Sequence, residues 1–404
     1  MKRWKIFLPL LLLALLCACG QKAPAPDNDP EGPPMQEEPS GRPEDWENQA
    51  QFTWETMWDE NASGWSMLEL DYAQCFSVEF SEFGYARIVI DQETYLLVPE
   101  ESFVPHGTPE DVTVLRQPLD NIYLQATAAM DCFRKLDAIS AVTMSGTQAE
   151  GWYIPEARQA MEDGRMVYAG KYSAPDYELI VDKGCDLALE STMIYHNPEV
   201  KEQLERFGIP VLVERSSYES HPLGRMEWIK LYGVLLNKRT EAEAYFNQQL
   251  EHLEPVLKQE TTGKTVAFFS VTSNGSVTVR KSGDYIAKAI ELAGGVYVFD
   301  SLEAEQENAL STMNIQMETF YDAARDADVL IYNSAIEASL QTIDELIAKS
   351  APLADFKAVR SGDVWCTGKS MFQESQSVGG MILDIHTILT GEDAGNMNYL
   401  YRLE

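Results

Sequence analysis

Downstream of residue 119, short apolar runs of four or five residues alternate with longer segments whose apolar positions recur every three or four residues. The runs predict buried strands and the segments amphipathic helices, and their alternation is the pattern of parallel βα units. The spacing predicts helices over 127–136, 155–163, 175–182 and 198–207, with strands over 138–142, 186–189 and 210–213. After Gly263 the rhythm restarts, with strands over 265–270, 277–279, 329–332 and 363–366 and helices over 285–293, 315–325, 343–349 and 378–389. Between the halves, Trp228, Leu231, Leu235, Ala242, Phe246, Leu250, Leu253 and Leu257 make one helical stripe. Thr240 and Glu243 have capping-box spacing, so a helix ending near Asn237 is followed by one over 240–258, roughly 25–30 Å long.

Upstream, 76–80, 86–90, 95–98 and 112–115 read as strands, and the aromatic-rich 46–64 as a helical or looped cap. The fold class is therefore α/β: two lobes with short, mostly parallel sheets joined by a single long interlobe α-helix. The expected parts are an N-terminal extension with the β-rich start of lobe 1 over 46–119 and an N-terminal α/β lobe over 120–238. The interlobe helix follows over 239–260, and a C-terminal α/β lobe over 261–404.

The first residues obey a different rule. Lys2, Arg3 and Lys5 precede residues 6–16, which are nearly pure hydrocarbon and too short to span a bilayer, so the segment reads as a secretory leader. Leu16-Cys17-Ala18-Cys19 closes the run and resembles a bacterial lipobox, giving a lipoprotein signal peptide over 1–18 and lipidation of Cys19. Residues 19–45 are acidic, Pro-rich and almost without apolar side chains, the composition of a disordered tether. The expected location is extracytoplasmic, lipid-anchored to the cell membrane.

The chain carries 31 Lys and Arg against 64 Asp and Glu, a formal charge of −33 that becomes −36 without the leader's three basic residues. Phosphate backbones would be repelled, so nucleic acid is excluded as a partner and anchoring falls to the lipid. Cys75, Cys132, Cys185 and Cys366 are scattered without CxxC spacing and read as buried free thiols, with one bridge in an oxidising compartment as the alternative.

No GxSxG, HExxH or Walker A motif occurs, nor a GxGxxG in a strand-turn-helix setting. The chain does not read as an enzyme, and no catalytic residue, resident cofactor or structural metal is expected. The five histidines (His106, His196, His221, His252 and His386) never pair at helical ligand spacing. His196 and His221 lie in loops at strand ends, and with nearby carboxylates they make a free Zn or Mn receptor an alternative reading. Loops after parallel strands are where α/β sheets bind ligands. Here the candidates are Trp152, Tyr153, Tyr195, His196, Tyr218, Arg280, Phe372 and Gln373. Aromatic faces with a few guanidinium groups suit a bulky, partly planar or anionic ligand.

Several segments in order carry a resemblance. Tyr172-Ser173-Ala174-Pro175-Asp176-Tyr177-Glu178-Leu179-Ile180 is followed by Cys185-Asp186-Leu187-Ala188-Leu189 and by Phe207-Gly208-Ile209-Pro210-Val211. Residues 231–237 run into Thr240-Glu241-Ala242-Glu243-Ala244, and Ala293-Gly294-Gly295 comes next. Ile315-Gln316-Met317-Glu318 and Ala327-Asp328-Val329-Leu330-Ile331 complete the set. In this order, over about 122–389, the chain resembles the iron–siderophore, haem and cobalamin binding lipoproteins of ABC importers, the helical-backbone class of solute-binding proteins. The resemblance implies a monomeric two-lobed receptor that delivers a small-molecule metal chelate to an ABC permease and its ATPase. It also implies one Glu on each lobe facing Arg of the permease, and the matching positions are Glu178 and Glu318. An iron(III)–siderophore is the expected ligand, with cobalamin or haem as alternatives, and Arg225, Arg280 or Arg360 should face an anionic chelate. Cys185 and Ala327 stand where the family usually has Pro, and residues 46–119 have no counterpart in compact members.

Overall fold

A computed structural model describes residues 53–58, 64–301, 312–336, 339–391 and 397–404. The leader over 1–18, the lipidation site Cys19 and the tether over 19–45 lie outside the described residues. Of the expected cap, the helix Trp54–Met57 is described.

The extension folds as a sheet of its own. Ser66–Met67, Phe76–Phe80, Ala86–Ile90, Glu93–Val98 and Val112–Arg116 pair in sequence order, antiparallel except for the last pair. In Phe76–Phe80 and Ala86–Ile90 every second residue is buried, the period of a half-buried sheet. That inner face (Phe76, Val78, Phe80, Ala86, Ile88, Ile90) joins the same apolar core as the lobes. The other face carries a smaller cluster of Met57, Trp58, Tyr85, Leu96 and Val98.

Lobe 1 is built on a fully parallel sheet in the order Val211–Glu214, Leu187–Ser191, Ile122–Leu124, Val142–Ser145, Val167–Tyr168. Apart from the edge strand Val167–Tyr168, its strands are buried on both faces, as a parallel sheet covered by helices requires. The strand expected over 138–142 arrives later, as Val142–Ser145. Asp137 takes a left-handed conformation (φ 50°) after helix Met130–Lys135, and a 3₁₀ turn Ile139–Ala141 follows before the strand starts. Likewise the helix expected from 175 begins only at Tyr177, because Ala174–Pro175 pairs with Gly170–Lys171 in a small hairpin.

Lobe 2 holds a mixed sheet in the order Thr312–Ile315, Val277–Arg280, Thr265–Val271, Val329–Tyr332, Val364–Thr367, Leu400–Arg402, with Val296–Tyr297 also on Thr265–Val271. Its central strands are parallel, whereas Val277–Arg280, Thr312–Ile315 and Leu400–Arg402 pair antiparallel at the edges. Between the sheets run helices Pro222–Glu227, Ile229–Leu235 and the long Arg239–Leu257. The predicted stripe is on the inside: Trp228, Leu231, Leu235, Ala242, Phe246 and Leu253 are buried. The Thr240–Glu243 capping box does not form, because the helix already begins at Arg239 after a left-handed Asn237 (φ 56°). Gly233 permits that tight entry, since a Cβ there would lie 2.5 Å from the Ala242 Cβ.

One device recurs at the joints. Asp186, at the entry of its strand, accepts the N–H of Asn121 at 2.9 Å, and the Asp186 N–H returns to the Asn121 carbonyl at 3.0 Å. Asp328 repeats this in lobe 2, accepting the Thr265 N–H at 2.8 Å while its own N–H reaches the Thr265 carbonyl at 3.0 Å. The xDLx and xDVx segments are therefore the same strand-pairing lock in both lobes. Asp384, on helix Val378–Thr390, accepts the N–H groups of Asn398 (3.2 Å), Tyr399 (2.7 Å) and Leu400 (3.0 Å), which fastens the terminal strand. Asp384 is buried, so Asp384→Ala should strand three donors at a loss of roughly 1–3 kcal/mol. A drop in the urea midpoint without a change in slope is the expected outcome; an unchanged midpoint would contradict this role for Asp384.

Candidate functional site

The segments that leave the C-terminal ends of Ile122–Leu124 and Val142–Ser145 in lobe 1 meet the segment that leaves Val364–Thr367 in lobe 2. Gln373 presents its side-chain amide to the other lobe as a peptide group would in a sheet. Its Oε1 accepts the Tyr153 N–H at 2.8 Å, and its Nε2 donates to the Gly151 carbonyl at 2.7 Å. Ser375 Oγ donates to the Ala128 carbonyl at 2.8 Å, and the Gln376 N–H donates to Asp131 at 2.8 Å. Arg134 bridges Asp131 (2.6 Å) and Glu374 (3.2 Å). Burial pushes the Asp131 carboxyl upward, against the Arg134 charge and the Gln376 N–H, which favour the ionised form. Four consecutive residues, 373–376, thus strap lobe 2 to lobe 1.

A buried cationic cluster flanks the strap. The Arg225 guanidinium lies 3.9 Å from the centre of the Tyr285 ring, and its Nε has no hydrogen-bond partner among the described residues. Arg280 pairs with Asp284 at 3.3 Å and stands 5.7 Å from the Phe372 ring. Burial raises the Asp284 carboxyl, while Arg280, the Ile286 N–H and Arg225 pull it back. Glu214, also raised by burial, is held by Ser216 and lies within the field of Arg225. The structure therefore gathers Arg225, Arg280 and Phe372 at one place and Tyr153 and Gln373 at another along the same seam.

Other candidates fall elsewhere. Trp152 is fully buried in the core with its Nε1 donating to Ser145 Oγ at 3.2 Å, so it cannot offer a face to ligand; the exposed face belongs to its neighbour Tyr153. Arg360 is on helix Lys357–Ser361, before strand Val364–Thr367 and so at the opposite end of the sheet, where it pairs with Asp355 at 2.7 Å. Tyr218 lies under Arg215 (4.5 Å to the ring centre), which reaches Asp91 of the N-terminal sheet at 2.7 Å. His221 caps helix Pro222–Glu227 through Nδ1 and stacks on Tyr72, and burial together with Lys288 holds it below the usual imidazole range. His196 is exposed, and among the described residues no group of three or more His, Cys, Asp and Glu side chains is gathered to hold a metal ion. Glu178 and Glu318 are both exposed, in the first turns of Tyr177–Asp182 and Met317–Ala324.

Tyr168 escaped the sequence reading, while Met193 belongs to the same strand-end loop as the candidates Tyr195 and His196. Tyr168 ends the edge strand of the lobe 1 sheet, and Met193 follows Leu187–Ser191, from which Ile122–Leu124 and Val142–Ser145 separate that edge. With Tyr153 and Tyr195 they make four large side chains at strand ends of lobe 1, each more than two-fifths exposed. Their shared place at C-terminal strand ends was the available signal. The cavity beside the strap, lined by Tyr285, Thr367, Met371, Glu374 and Tyr399 among others, has a volume of about 20 Å³. That is room for about one water, whereas small-molecule sites run to about 300–1,000 Å³.

Comparison with known proteins accords with this architecture. Residues 131–370 match the family described as periplasmic binding protein. An uncharacterized lipoprotein of Methanocaldococcus jannaschii is 27% identical over 320 residues, covering 76% of this chain and 75% of the relative. A petrobactin-binding protein of Bacillus subtilis superposes with a TM-score of 0.54 at 12% identity, over 80% of this chain and 98% of that one. A periplasmic haem-binding protein of Pseudomonas aeruginosa gives 0.54 at 15% identity, over 70% and 98%. At such identities the solved structures establish the fold alone.

On strand Leu187–Ser191, Glu190 is fully buried, close to Tyr123 and Tyr177, with neither carboxylate oxygen partnered among the described residues. Burial raises it to about 8, so the native state holds it protonated at neutral pH. Its folded value lies above its unfolded one, so its contribution to stability is complete below about pH 4.3 and is lost as pH rises through about 8. Glu190→Gln should therefore gain in melting temperature relative to the wild type as pH rises from 5 to 8. A constant difference across that range would show that Glu190 is ionised in the native state.

Proposed function

The chain belongs to the periplasmic binding protein family, and from that premise we propose that it is an extracytoplasmic receptor for a metal chelate, best an iron(III)–siderophore. Ligand would sit on the open face between the lobes and be handed to an ABC permease. The observation that carries this reading is the set of exposed Tyr153, Tyr168, Met193 and Tyr195 at the strand ends of lobe 1, beside a seam holding Arg225 and Arg280. Aromatic and thioether faces suit the planar donor groups of such chelates, and guanidinium groups suit their negative charge. Lipoprotein relatives and siderophore- and haem-binding structural neighbours point the same way, with haem or cobalamin as the alternative cargo of the same site. Cys19 would keep the receptor near its permease, and the 19–45 tether would let it turn and dock. Glu178 and Glu318, one on each lobe, would meet cationic side chains of that permease.

The test is calorimetric titration of the purified chain with ferric siderophores, haemin, cobalamin, Zn²⁺ and Mn²⁺. Saturable binding of a chelate at micromolar concentration or below is expected, and Tyr168→Ala or Tyr195→Ala should weaken it roughly tenfold, about 1.4 kcal/mol each. Tight stoichiometric binding of bare Zn²⁺ or Mn²⁺ that disappears in His196→Ala would overturn the chelate reading. In cells, Glu178→Ala with Glu318→Ala should abolish uptake while leaving affinity intact; a loss of affinity would move those two residues out of the docking role.

A further inference from the structure

The sheet over residues 66–116 lies outside the region matched to the family, yet it is fastened to the element that carries Arg225. Five consecutive backbone N–H groups, those of residues 71–75, are taken up by two carboxylates of one short segment. Glu227 accepts from Asp71 at 3.0 Å and from Tyr72 and Ala73 at 2.8 Å each, and it also pairs with Lys230 at 2.7 Å. Glu219 accepts from Gln74 at 3.0 Å and Cys75 at 2.8 Å, and from the Trp228 indole N–H at 3.0 Å. Both carboxylates are buried, and the loop sits so close that a Cβ on Gly224 would come within 2.9 Å of the Tyr72 carbonyl.

Arg225 follows Gly224 directly and lies between the two carboxylates in sequence. Its guanidinium turns to the other lobe, onto the Tyr285 ring, with a buried and unpartnered Nε. Helix Pro222–Glu227 is only six residues long and has no length of its own to define a side-chain position. The clamp fastens it on one side, and on the other it packs against Tyr285 and helix Val378–Thr390 of lobe 2. We propose that the N-terminal sheet sets the position of Arg225 at the interlobe seam, with Glu219 and Glu227 as positioning residues that act through it. The sheet is then a splint for the ligand site, and anything that shifts it shifts the cation offered there. For the effect on ligand, this rests on the receptor reading above; for the mechanical coupling across the seam, it does not.

The test uses the full chain with Glu227→Gln, Glu219→Gln, Arg225→Gln and the doubles with Arg225→Gln. Backbone hydrogen exchange is followed at residues 282–292 and 373–378 of lobe 2, and binding with ferric tris-catecholate as an anionic probe. Glu227→Gln should speed exchange at 282–292 at least tenfold and add nothing once Arg225→Gln is present. Should Glu227→Gln not fold, Glu219→Gln, which keeps an acceptor oxygen, carries the same expectation. Faster exchange confined to 69–76 and 219–235, or effects that add to those of Arg225→Gln, would overturn the positioning role. If the wild type binds the probe, its affinity should fall by the same factor in the single and double variants. If it does not bind, the effect on this ligand class fails, and the exchange result still decides this inference.

Discussion

A carboxylate removed from water needs donors, and in a chain with 64 Asp and Glu against 31 Lys and Arg most of them must come from something other than cations. Here the donors are backbone N–H groups. Asp186 and Asp328 take them at the entry to the central strands, Asp384 at the terminal strand, Glu219 and Glu227 at the N-terminal sheet, and Asp131 across the seam. Each such bond also satisfies an amide that no sheet or helix ladder would have paired, so one contact removes two penalties. The joints between elements are therefore made by directional bonds at defined residues, while apolar burial fills the space between them.

This construction decides what the seam can do. Strap residues 373–376 hold the strand-end faces of the two sheets in register, so Tyr153 and the loops around it stand over a defined floor. Arg225 and Arg280 lie in that floor with aromatic rings and Asp284 around them. The long helix Arg239–Leu257 packs on helix Val378–Thr390 of lobe 2, which links the lobes at their back. A link of that kind favours a small rotation over a wide hinge, and in the proposed receptor discrimination would then fall to the side chains on the open face.

Much of this was legible in the chain. Buried parallel strands are continuous apolar runs, so Leu187–Ser191, Val329–Tyr332 and Val364–Thr367 stood out, and the helical stripe from Trp228 to Leu257 located the link between lobes. Ile122–Leu124 was not legible: three residues at the centre of a sheet carry no period. Thr312–Ile315 and Leu400–Arg402 are edge strands with exposed positions, and their pairing is decided by neighbours remote in sequence. At the site, adjacent Trp152 and Tyr153 look alike in sequence, yet one is core and the other surface, because successive side chains point in different directions. Arg360 was misplaced because it lies on the helix before strand Val364–Thr367, at the opposite end of the sheet from the segments that follow the strands. The clamp on residues 71–75 left no trace, since a backbone donor has no residue type.

The most direct measurement is anomalous diffraction at the iron edge from crystals of the chain grown with the ferric chelate it binds. The account predicts a single strong peak on the open face between the lobes, within contact range of a chelate touching Tyr153, Tyr168 and Tyr195 and beside the Arg225–Arg280 cluster. A peak on the outer surface of the N-terminal sheet, or one bound directly to His196, would contradict it.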